Sequence, residues 1–180
     1  ITVGAGNYAL YPHRYRQFTG LGTSITPAVG SIGYGLPAAI AVKLEQPERT
    51  VVCYAGDGCF QMNFQELGVA MQHRVGIVVL VFNNRIYGTI RAHQERDFPG
   101  RAIALNFENP DFVQLAQAYG GHGERVERTE DFEAALQRAL AFAQTQSMPA
   151  LIELCYEPDG IAPGQTLTGI RAKALEAQNA

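Results

Sequence analysis

The sequence predicts an α/β domain of three layers, in which helices cover both faces of a mostly parallel sheet. Three apolar runs of strand length carry this prediction: Val51–Ala55, Gly76–Phe82 and Ala150–Tyr156. Segments of helical character separate them, and strands alternating with helices are typical of parallel sheets. The loops that follow such strands meet at one edge of the sheet, where α/β domains bind their ligands.

The first fifty residues contain a strand end, an irregular segment and a helix. Ile1–Val3 is predicted to be a short strand, and Gly4–Asn7 is the loop at its carboxyl edge. Tyr8–Thr26 is aromatic and basic, and its proline and glycines interrupt regular structure. Ser31–Leu44 is small and apolar, which predicts a helix packed closely on the sheet. Pro37 lies near the start of that helix, where a missing N–H does least harm.

The middle of the chain predicts one βαβ unit. Strand Val51–Ala55 leads into a helix over Met62–Arg74, and strand Gly76–Phe82 follows. Tyr87–Asn109 has charged residues and no clean period, so we expect a surface loop with some helix.

Two further helices and one strand are predicted before the last apolar run. Asp111–Tyr119 is predicted to be helical, with Asn109 as a candidate cap and Pro110 in the first turn. Gly123–Glu127 is predicted to be a short strand. Thr129 is expected to cap a helix that ends near Gln144.

The carboxyl-terminal residues divide into a final strand and a tail. The prediction is a domain over residues 1–157 and a tail over 158–180, with a helical stretch at Ile170–Gln178. The chain begins at Ile1 rather than Met, which suggests a piece of a longer polypeptide.

Composition excludes several classes of function. The chain has 180 residues, enough for one domain with a substantial core, and a formal net charge of −3 without a basic run. This argues against a nucleic-acid surface. No apolar run reaches transmembrane length, so no membrane partner is expected. The three cysteines lack metal-type spacing and indicate reduced thiols in a cytoplasmic protein.

One pair of motifs carries most of the functional information. Gly56-Asp57-Gly58 directly follows the Val51–Ala55 run, and Asn83-Asn84 comes 24 residues later, after the second run. In a parallel sheet, both motifs lie at the same edge. A carboxylate and an amide oxygen could then bind one hard divalent cation, while the glycines allow backbone N–H groups to approach an anion. The arrangement suits a metal-bridged diphosphate.

These motifs resemble the diphosphate-binding domain of the thiamine diphosphate enzymes. The family pattern is Gly-Asp-Gly, a gap in the mid-twenties, and Asn-Asn; this chain reads GDGCFQMNFQELGVAMQHRVGIVVLVFNN. The upstream segment GSIGYGLPAA also matches, at a matching separation. The resemblance extends from Ile1 to about Tyr156. The segment NNRIYGTIRAHQE is similar to the acetolactate synthase-like and benzoylformate decarboxylase-like branch.

The resemblance implies a ligand set for Mg²⁺ and for the cofactor. Asp57, the side-chain oxygen of Asn84 and the backbone carbonyl of Ile86 would bind the metal, together with diphosphate oxygens and a water. The residues expected to contact thiamine diphosphate are Gly6, Asn7, Gly30, Ile32, Gly56, Asp57, Gly58, Cys59, Asn84, Ile86 and Gly88.

The implied roles of these residues differ. Gly58 and Cys59 would present backbone N–H groups to the diphosphate. Gly30 would accept a hydrogen bond from the pyrimidine amino group, and Ile32 would support the bend between the two rings. Ile32 could also be an ordinary core residue. Gly6 and Asn7 match more loosely.

No catalytic residue is expected within this chain. In the resembled family, an activating glutamate lies in a separate pyrimidine-binding domain, on the same or a partner chain. The implied function is therefore the diphosphate and Mg²⁺ half of a 2-keto acid decarboxylase or carboligase, a lyase or transferase that is inactive as an isolated domain. A homodimer or homotetramer is expected. The chain lacks tryptophan, which acetolactate-forming members carry near His93, so the substrate is left open.

Two alternative functions and two alternative residue roles remain at this stage. The same fold could serve as a non-catalytic assembly or regulatory module. It could be a nucleotide-binding domain, although neither G-x-G-x-x-G nor a P-loop follows a strand here. Cys59 could be a catalytic cysteine, although the motif places no base beside it. His93 could contact substrate or lie on the surface.

Overall fold

The computed structural model describes residues 1–178, which form a three-layer α/β fold around a five-stranded parallel sheet. The strand order is β1-β2-β3-β5-β4, and all neighbouring strands of this sheet are parallel. The fold class predicted from the sequence is confirmed. The strands are β1 Thr2–Val3, β2 Val52–Gly56, β3 Val78–Asn83, β4 His122–Val126 and β5 Ala150–Cys155.

Eight α-helices and a small hairpin complete the described part of the chain. The helices are α1 Leu10–Tyr15, α2 Gly35–Glu45, α3 Asp57–Phe60, α4 Leu67–Gln72, α5 Gly88–Asp97, α6 Phe112–Ala118, α7 Phe132–Gln146 and α8 Leu167–Gln178. Short 3₁₀ turns occur at Asn7–Ala9, Phe64–Glu66 and Thr129–Asp131. The antiparallel hairpin consists of β6 Gly160–Ala162 and β7 Gln165–Thr166.

The sheet separates two apolar cores because successive strand residues point to opposite faces. Val79 and Val81 of β3 belong to the core that includes residues of α2, α4 and α6. Val78 and Leu80 belong to the other core, which includes the alanine face of α7. A strand buried on both faces is a near-continuous apolar run, which is why the sequence predicted β3 so clearly.

Two predicted segments differ from the structure. The predicted helix Met62–Arg74 is divided, because Asn63 has φ −142° and its side chain donates to the carbonyl of Gly33 at 3.1 Å. Within the predicted range, only α4 is α-helical, and a 3₁₀ turn at Phe64–Glu66 precedes it. The predicted loop Tyr87–Asn109 contains the ten-residue helix α5. It has no apolar stripe in sequence because it packs partly through the buried carboxylate of Glu95.

Both predicted helix caps were wrong. Asp111, not Asn109, caps α6, and its Oδ1 accepts the backbone N–H of Gln114 at 2.9 Å. The Asn109 side chain turns toward the sheet edge instead. Thr129 begins a 3₁₀ turn ahead of α7, with no side-chain capping bond.

The register of β2 and β3 brings the two sequence motifs side by side. Gly56, the last residue of β2, pairs with Phe82, so Asp57 follows at the level of Asn83, the last residue of β3. Cys155 of β5 pairs with Asn83 on the other side. The predicted convergence of the two loops at one edge of the sheet is therefore present in the fold.

The tail packs on the domain through one buried carboxylate. Glu95 of α5 is fully buried, and Arg171 of α8 donates to it from Nε at 2.6 Å. Arg91 and the N–H of Gly100 also donate to Glu95. Residues 179 and 180 of the predicted tail lie outside the described residues.

Two other sequence expectations concern membranes and cysteines. No helix within residues 1–178 has both the length and the apolar character needed to cross a bilayer. Cys53, Cys59 and Cys155 are all free, as the spacing predicted.

Candidate functional site

A cleft at the carboxyl edge of the sheet collects most of the residues singled out in the sequence. Its volume is about 90 Å³. Nine of the eleven predicted cofactor contacts line it: Gly6, Asn7, Ile32, Gly56, Asp57, Gly58, Cys59, Asn84 and Gly88. The remaining lining residues are Ala5, Tyr8, Phe82, Tyr87, Thr89, Ile90, Tyr156 and Ile161.

Asp57 lies at the base of this cleft and is held by three neutral donors. Its Oδ1 accepts the N–H of Gly58 at 2.9 Å. Its Oδ2 accepts the N–H of Arg85 at 2.8 Å and the side-chain amide of Asn109 at 2.9 Å. Arg85 has φ 59°, so the loop after β3 adopts the left-handed conformation that directs this N–H at Asp57.

The charge on Asp57 has no cationic partner in the described part of the chain. The side chain is 3 % exposed, and none of the ion pairs among residues 1–178 includes it. Burial raises the pKa of Asp57 above its ordinary value, while the hydrogen bond from Asn109 opposes that rise. A buried carboxylate without a counter-charge fits a site that is completed by a cation.

The donor set suits Mg²⁺ rather than a metal held entirely by protein side chains. Within residues 1–178, no group of three or more His, Cys, Asp or Glu is placed to hold a metal. Mg²⁺ is commonly bound by one or two carboxylates together with phosphate oxygens and waters. A single carboxylate beside an amide oxygen therefore fits a magnesium ion that arrives with a phosphorylated ligand.

Asn84 lines the same cleft as Asp57, at the carboxyl edge of the sheet. Its side chain is buried, and its Oδ1 accepts the N–H of Ile86 at 3.3 Å. This long bond leaves the amide oxygen able to accept a further partner. The side chain of Ile86 does not line the cleft, but its predicted role concerns only its backbone carbonyl. The backbone of Ile86 bridges to Asn106.

The glycines of the first motif allow the chain to pass close to aromatic rings. A Cβ at Gly56 would lie 2.8 Å from the ring of Tyr8, and one at Gly58 would lie 2.8 Å from the ring of Tyr87. Any larger residue at either position would displace a ring. Glycine at these two positions is therefore required by the packing of the rings, whether or not a ligand binds.

The sulfur of Cys59 is buried and accepts two hydrogen bonds from neighbouring loops. Its Sγ accepts the hydroxyl of Tyr8 at 3.1 Å and the N–H of Gly33 at 3.0 Å. Its neighbours thus include no histidine, and no histidine lines the cleft within residues 1–178. The geometry gives no support to a catalytic cysteine.

The remaining predicted contacts lie around the mouth of the cleft. Asn7 accepts the hydroxyl of Thr89 at 3.0 Å, which joins the first loop to α5. Ile32 lines the cleft with 46 % of its surface exposed, so it is not a core residue. Gly30 is exposed and does not line the cleft. His93 does not line the cleft but lies in an adjoining groove between α5 and α8, which shares Asn7, Thr89 and Ile161 with it.

Sequence reasoning missed several residues of this region. Tyr8, Tyr87 and Tyr156 line the cleft, and Ile161 reaches it from the tail hairpin. Asn109 hydrogen-bonds to Asp57 from a distance of 52 positions in the chain. Asn109 was visible as a polar residue before a helix, but only the tertiary fold shows which group it contacts.

Comparison with known proteins agrees with this geometry. Residues 4–154 match the family model of the thiamine pyrophosphate enzyme C-terminal TPP-binding domain. The chain is 41 % identical over 130 residues to the acetolactate synthase isozyme 3 large subunit of Escherichia coli K12, covering 72 % of this chain and 21 % of that protein. It is 31 % identical over 176 residues to a probable acetolactate synthase large subunit of Methanococcus aeolicus, covering 94 % and 29 %.

A solved structure is also similar. The thiamine diphosphate-dependent 4-hydroxybenzoylformate decarboxylase of Rhodococcus jostii RHA1 matches with a TM-score of 0.69 and 35 % identity, over 76 % of this chain and 25 % of that chain. The chain thus spans between a fifth and three tenths of the length of these proteins. By the family match and these identities, the chain belongs to the thiamine pyrophosphate enzymes, in their C-terminal TPP-binding domain.

Proposed function

We propose that this chain binds the diphosphate of thiamine diphosphate through Mg²⁺, within a full-length 2-keto acid decarboxylase or carboligase. The Asp57 carboxylate, the Asn84 side-chain oxygen and the Ile86 carbonyl are the protein ligands of the metal. The observation that carries the proposal is the buried, unpaired charge of Asp57 in the same cleft as Asn84. Mg²⁺ neutralises this charge and joins it to phosphate oxygens.

The chain's own contribution is binding and orientation. The backbone around Gly58 and Cys59 faces the diphosphate, with Gly56, Gly6, Asn7 and Gly88 completing the wall. Ile32 would support the rings from the mouth of the cleft, and Gly30, which lies outside the cleft, would contact the pyrimidine only where the cofactor extends beyond it. When bound, the cofactor supplies an electron sink for decarboxylation.

The cleft implies that another domain completes the site. Ligand pockets commonly enclose roughly 300–1,000 Å³, whereas this cleft measures about 90 Å³. The described chain therefore surrounds only part of such a cofactor. We propose that a pyrimidine-binding domain covers the rest and supplies the activating glutamate, in a homodimer or homotetramer. The isolated chain is then inactive.

The same observation favours an enzyme over a non-catalytic assembly module. A purely structural module gains nothing from a buried carboxylate that lacks a counter-charge, because such a group costs stability. The cytoplasmic location and the identity of the 2-keto acid stay predictions.

Calorimetry on the full-length protein tests the proposal. Thiamine diphosphate should bind with Mg²⁺ present, and chelation of the metal should abolish binding. Asn84→Ala should weaken binding, whereas Gln144→Ala, at the opposite edge of the sheet, should leave it unchanged. Binding that survives chelation would rule out the metal-bridged diphosphate.

Turnover separates the enzyme from the assembly module. The loaded full-length protein should release carbon dioxide from pyruvate or from an aromatic 2-keto acid such as benzoylformate. Cofactor binding without release from any 2-keto acid would favour the module.

A further inference from the structure

The side chain of Asn109 occupies the junction of three loops that the sequence did not connect. Its Nδ2 donates to Asp57 Oδ2 at 2.9 Å and to Asn83 Oδ1 at 2.8 Å. Its Oδ1 accepts the side-chain amide of Gln61 at 2.7 Å. Both protons and the oxygen of the amide therefore have partners, and this matching fixes its orientation.

The bond to Asp57 selects which carboxylate oxygen is free. Among the hydrogen bonds within residues 1–178, Oδ2 accepts two, from the side chain of Asn109 and the N–H of Arg85, whereas Oδ1 accepts one, from the N–H of Gly58. The backbone N–H of Asn84 also faces this carboxylate. A carboxylate oxygen has two lone pairs, so Oδ2 is occupied and Oδ1 keeps one lone pair. Asn109 thereby fixes the rotation of the carboxylate and leaves Oδ1 for a cation.

The bond to Asn83 controls the second ligand loop. Asn83 is also bonded through its Nδ2 to Glu153 Oε1 at 2.6 Å, and Glu153 is held in turn by Arg125 at 2.7 Å. Glu153 and Asn83 are both buried. Since Asn84 is the next residue, fixing Asn83 fixes the backbone from which Asn84 projects.

We infer that Asn109 is a positioning residue: it orients the Asp57 carboxylate and fixes the backbone of Asn83, from which the Asn84 side chain would reach the proposed Mg²⁺. The inference rests on the proposed magnesium site. Mg²⁺ demands near-ideal octahedral geometry, so a small rotation of one ligand weakens binding. Groups that orient a metal ligand commonly contribute 10–100-fold to metal affinity.

The test uses the full-length protein with saturating thiamine diphosphate and measures metal binding directly. Mn²⁺ replaces Mg²⁺ as the probe, and its bound fraction is read by electron paramagnetic resonance. Asn109→Ala removes the amide, and Asn109→Leu keeps a similar volume without a donor. Each should raise the Mn²⁺ dissociation constant by about tenfold or more. Turnover should recover at high Mg²⁺, because Asp57 and Asn84 remain present.

Controls separate positioning from folding. Gln144→Ala removes an exposed side-chain amide of α7, at the opposite edge of the sheet, and should leave Mn²⁺ affinity unchanged. Gln61→Ala removes only the partner of Asn109 Oδ1, so it should fold even if the Asn109 variants do not. It should weaken Mn²⁺ binding in the same direction by a smaller factor. Circular dichroism of the metal-free proteins reports whether each variant is folded.

The outcomes distinguish this inference from the proposed function. If Asp57→Ala abolishes Mn²⁺ binding but folded Asn109 variants bind like Gln144→Ala, the positioning role is wrong and the metal site stands. If the Asn109 variants are unfolded and Gln61→Ala binds Mn²⁺ normally, the positioning role is also wrong. If Asp57→Ala binds Mn²⁺ as tightly as the unmodified protein, the proposed function itself is wrong.

Discussion

Two buried carboxylates, Glu95 of α5 and Asp57 directly after β2, have very different partners in this fold. Glu95 is 0 % exposed and contacts two arginines, Arg91 and Arg171. Asp57 is 3 % exposed and contacts only neutral donors. The hydrogen bonds of Arg171 hold the pKa of Glu95 at about 2, whereas burial raises the pKa of Asp57.

The difference identifies the purpose of each carboxylate. Glu95 has its charge compensated inside the chain, so it fastens α8 to α5 and needs nothing more. Asp57 has hydrogen bonds but no compensating charge among residues 1–178, which is the basis for proposing that a cation binds there. Burial alone does not reveal a functional carboxylate; the sign of its partners does.

The largest expected effect follows from removing the uncompensated carboxylate. Asp57→Ala in the full-length protein should weaken thiamine diphosphate binding by at least about 100-fold, since it removes the one carboxylate among the proposed protein ligands of the metal. Titration calorimetry at fixed Mg²⁺ measures the change. An unchanged affinity for thiamine diphosphate would show that Asp57, like Glu95, has no role in binding the cofactor.

Neutralising Glu95 should reduce the stability of the protein rather than its affinity for the cofactor. Glu95→Gln leaves Arg91 and Arg171 without their anion and should lower the free energy of unfolding by about 2–3 kcal/mol. Both arginines are partly exposed, so the loss is smaller than for a fully buried pair. Urea unfolding of the metal-free protein measures it. A stability loss as large in Lys173→Gln, which alters another charge of α8, would argue against a specific role for Glu95.

The contribution of Glu95 to stability should depend on pH between about 4.5 and 2. Its pKa is lowered from 4.5 to about 2 in the folded protein, so its stabilisation is complete above about pH 4.5. The contribution falls as the pH drops through this range and is gone below about pH 2. Comparing Glu95→Gln with the unmodified protein between pH 6 and pH 2 should show the two stabilities converging by about 2–3 kcal/mol. A constant gap would contradict the pairing.

A smaller effect is expected from packing beside the cleft, with both carboxylates intact. A Cβ at Gly4 would lie 2.5 Å from Cys59 Sγ and 2.6 Å from the hydroxyl of Tyr8. Gly4→Ala should therefore destabilise the protein by about 1–2 kcal/mol, as overpacking commonly does. Thermal unfolding measures it, with Gly20→Ala as the control because its Cβ would meet nothing within 4 Å. Equal effects of the two substitutions would show that Cys59 and Tyr8 move aside at no cost in stability.

The sheet and the two ligand loops could be predicted from sequence for a definite reason. β2 and β3 are apolar runs bounded by glycine and asparagine, and parallel topology places their ends together. Asp57 and Asn84 therefore lie in one cleft, as expected. Their binding of a metal stays a prediction.

Other features depended on contacts that no local pattern encodes. Asn109 has the sequence context of a helix cap, but the preference of Asp111 for that position frees it to contact Asp57. Helix α5 could not be recognised because a buried Glu95 replaces an apolar stripe, and its partner Arg171 is 76 positions away. Distant ionic partners leave no periodic signal.

The tail hairpin has a consequence for handling the protein. Ile161 reaches the cleft, and the same segment continues into the helix fastened by Arg171. We therefore expect a ligand in the cleft to restrain the hairpin as well. Protease sensitivity between residues 157 and 166 should fall when the cleft is filled, which offers a simple gel-based report of occupancy.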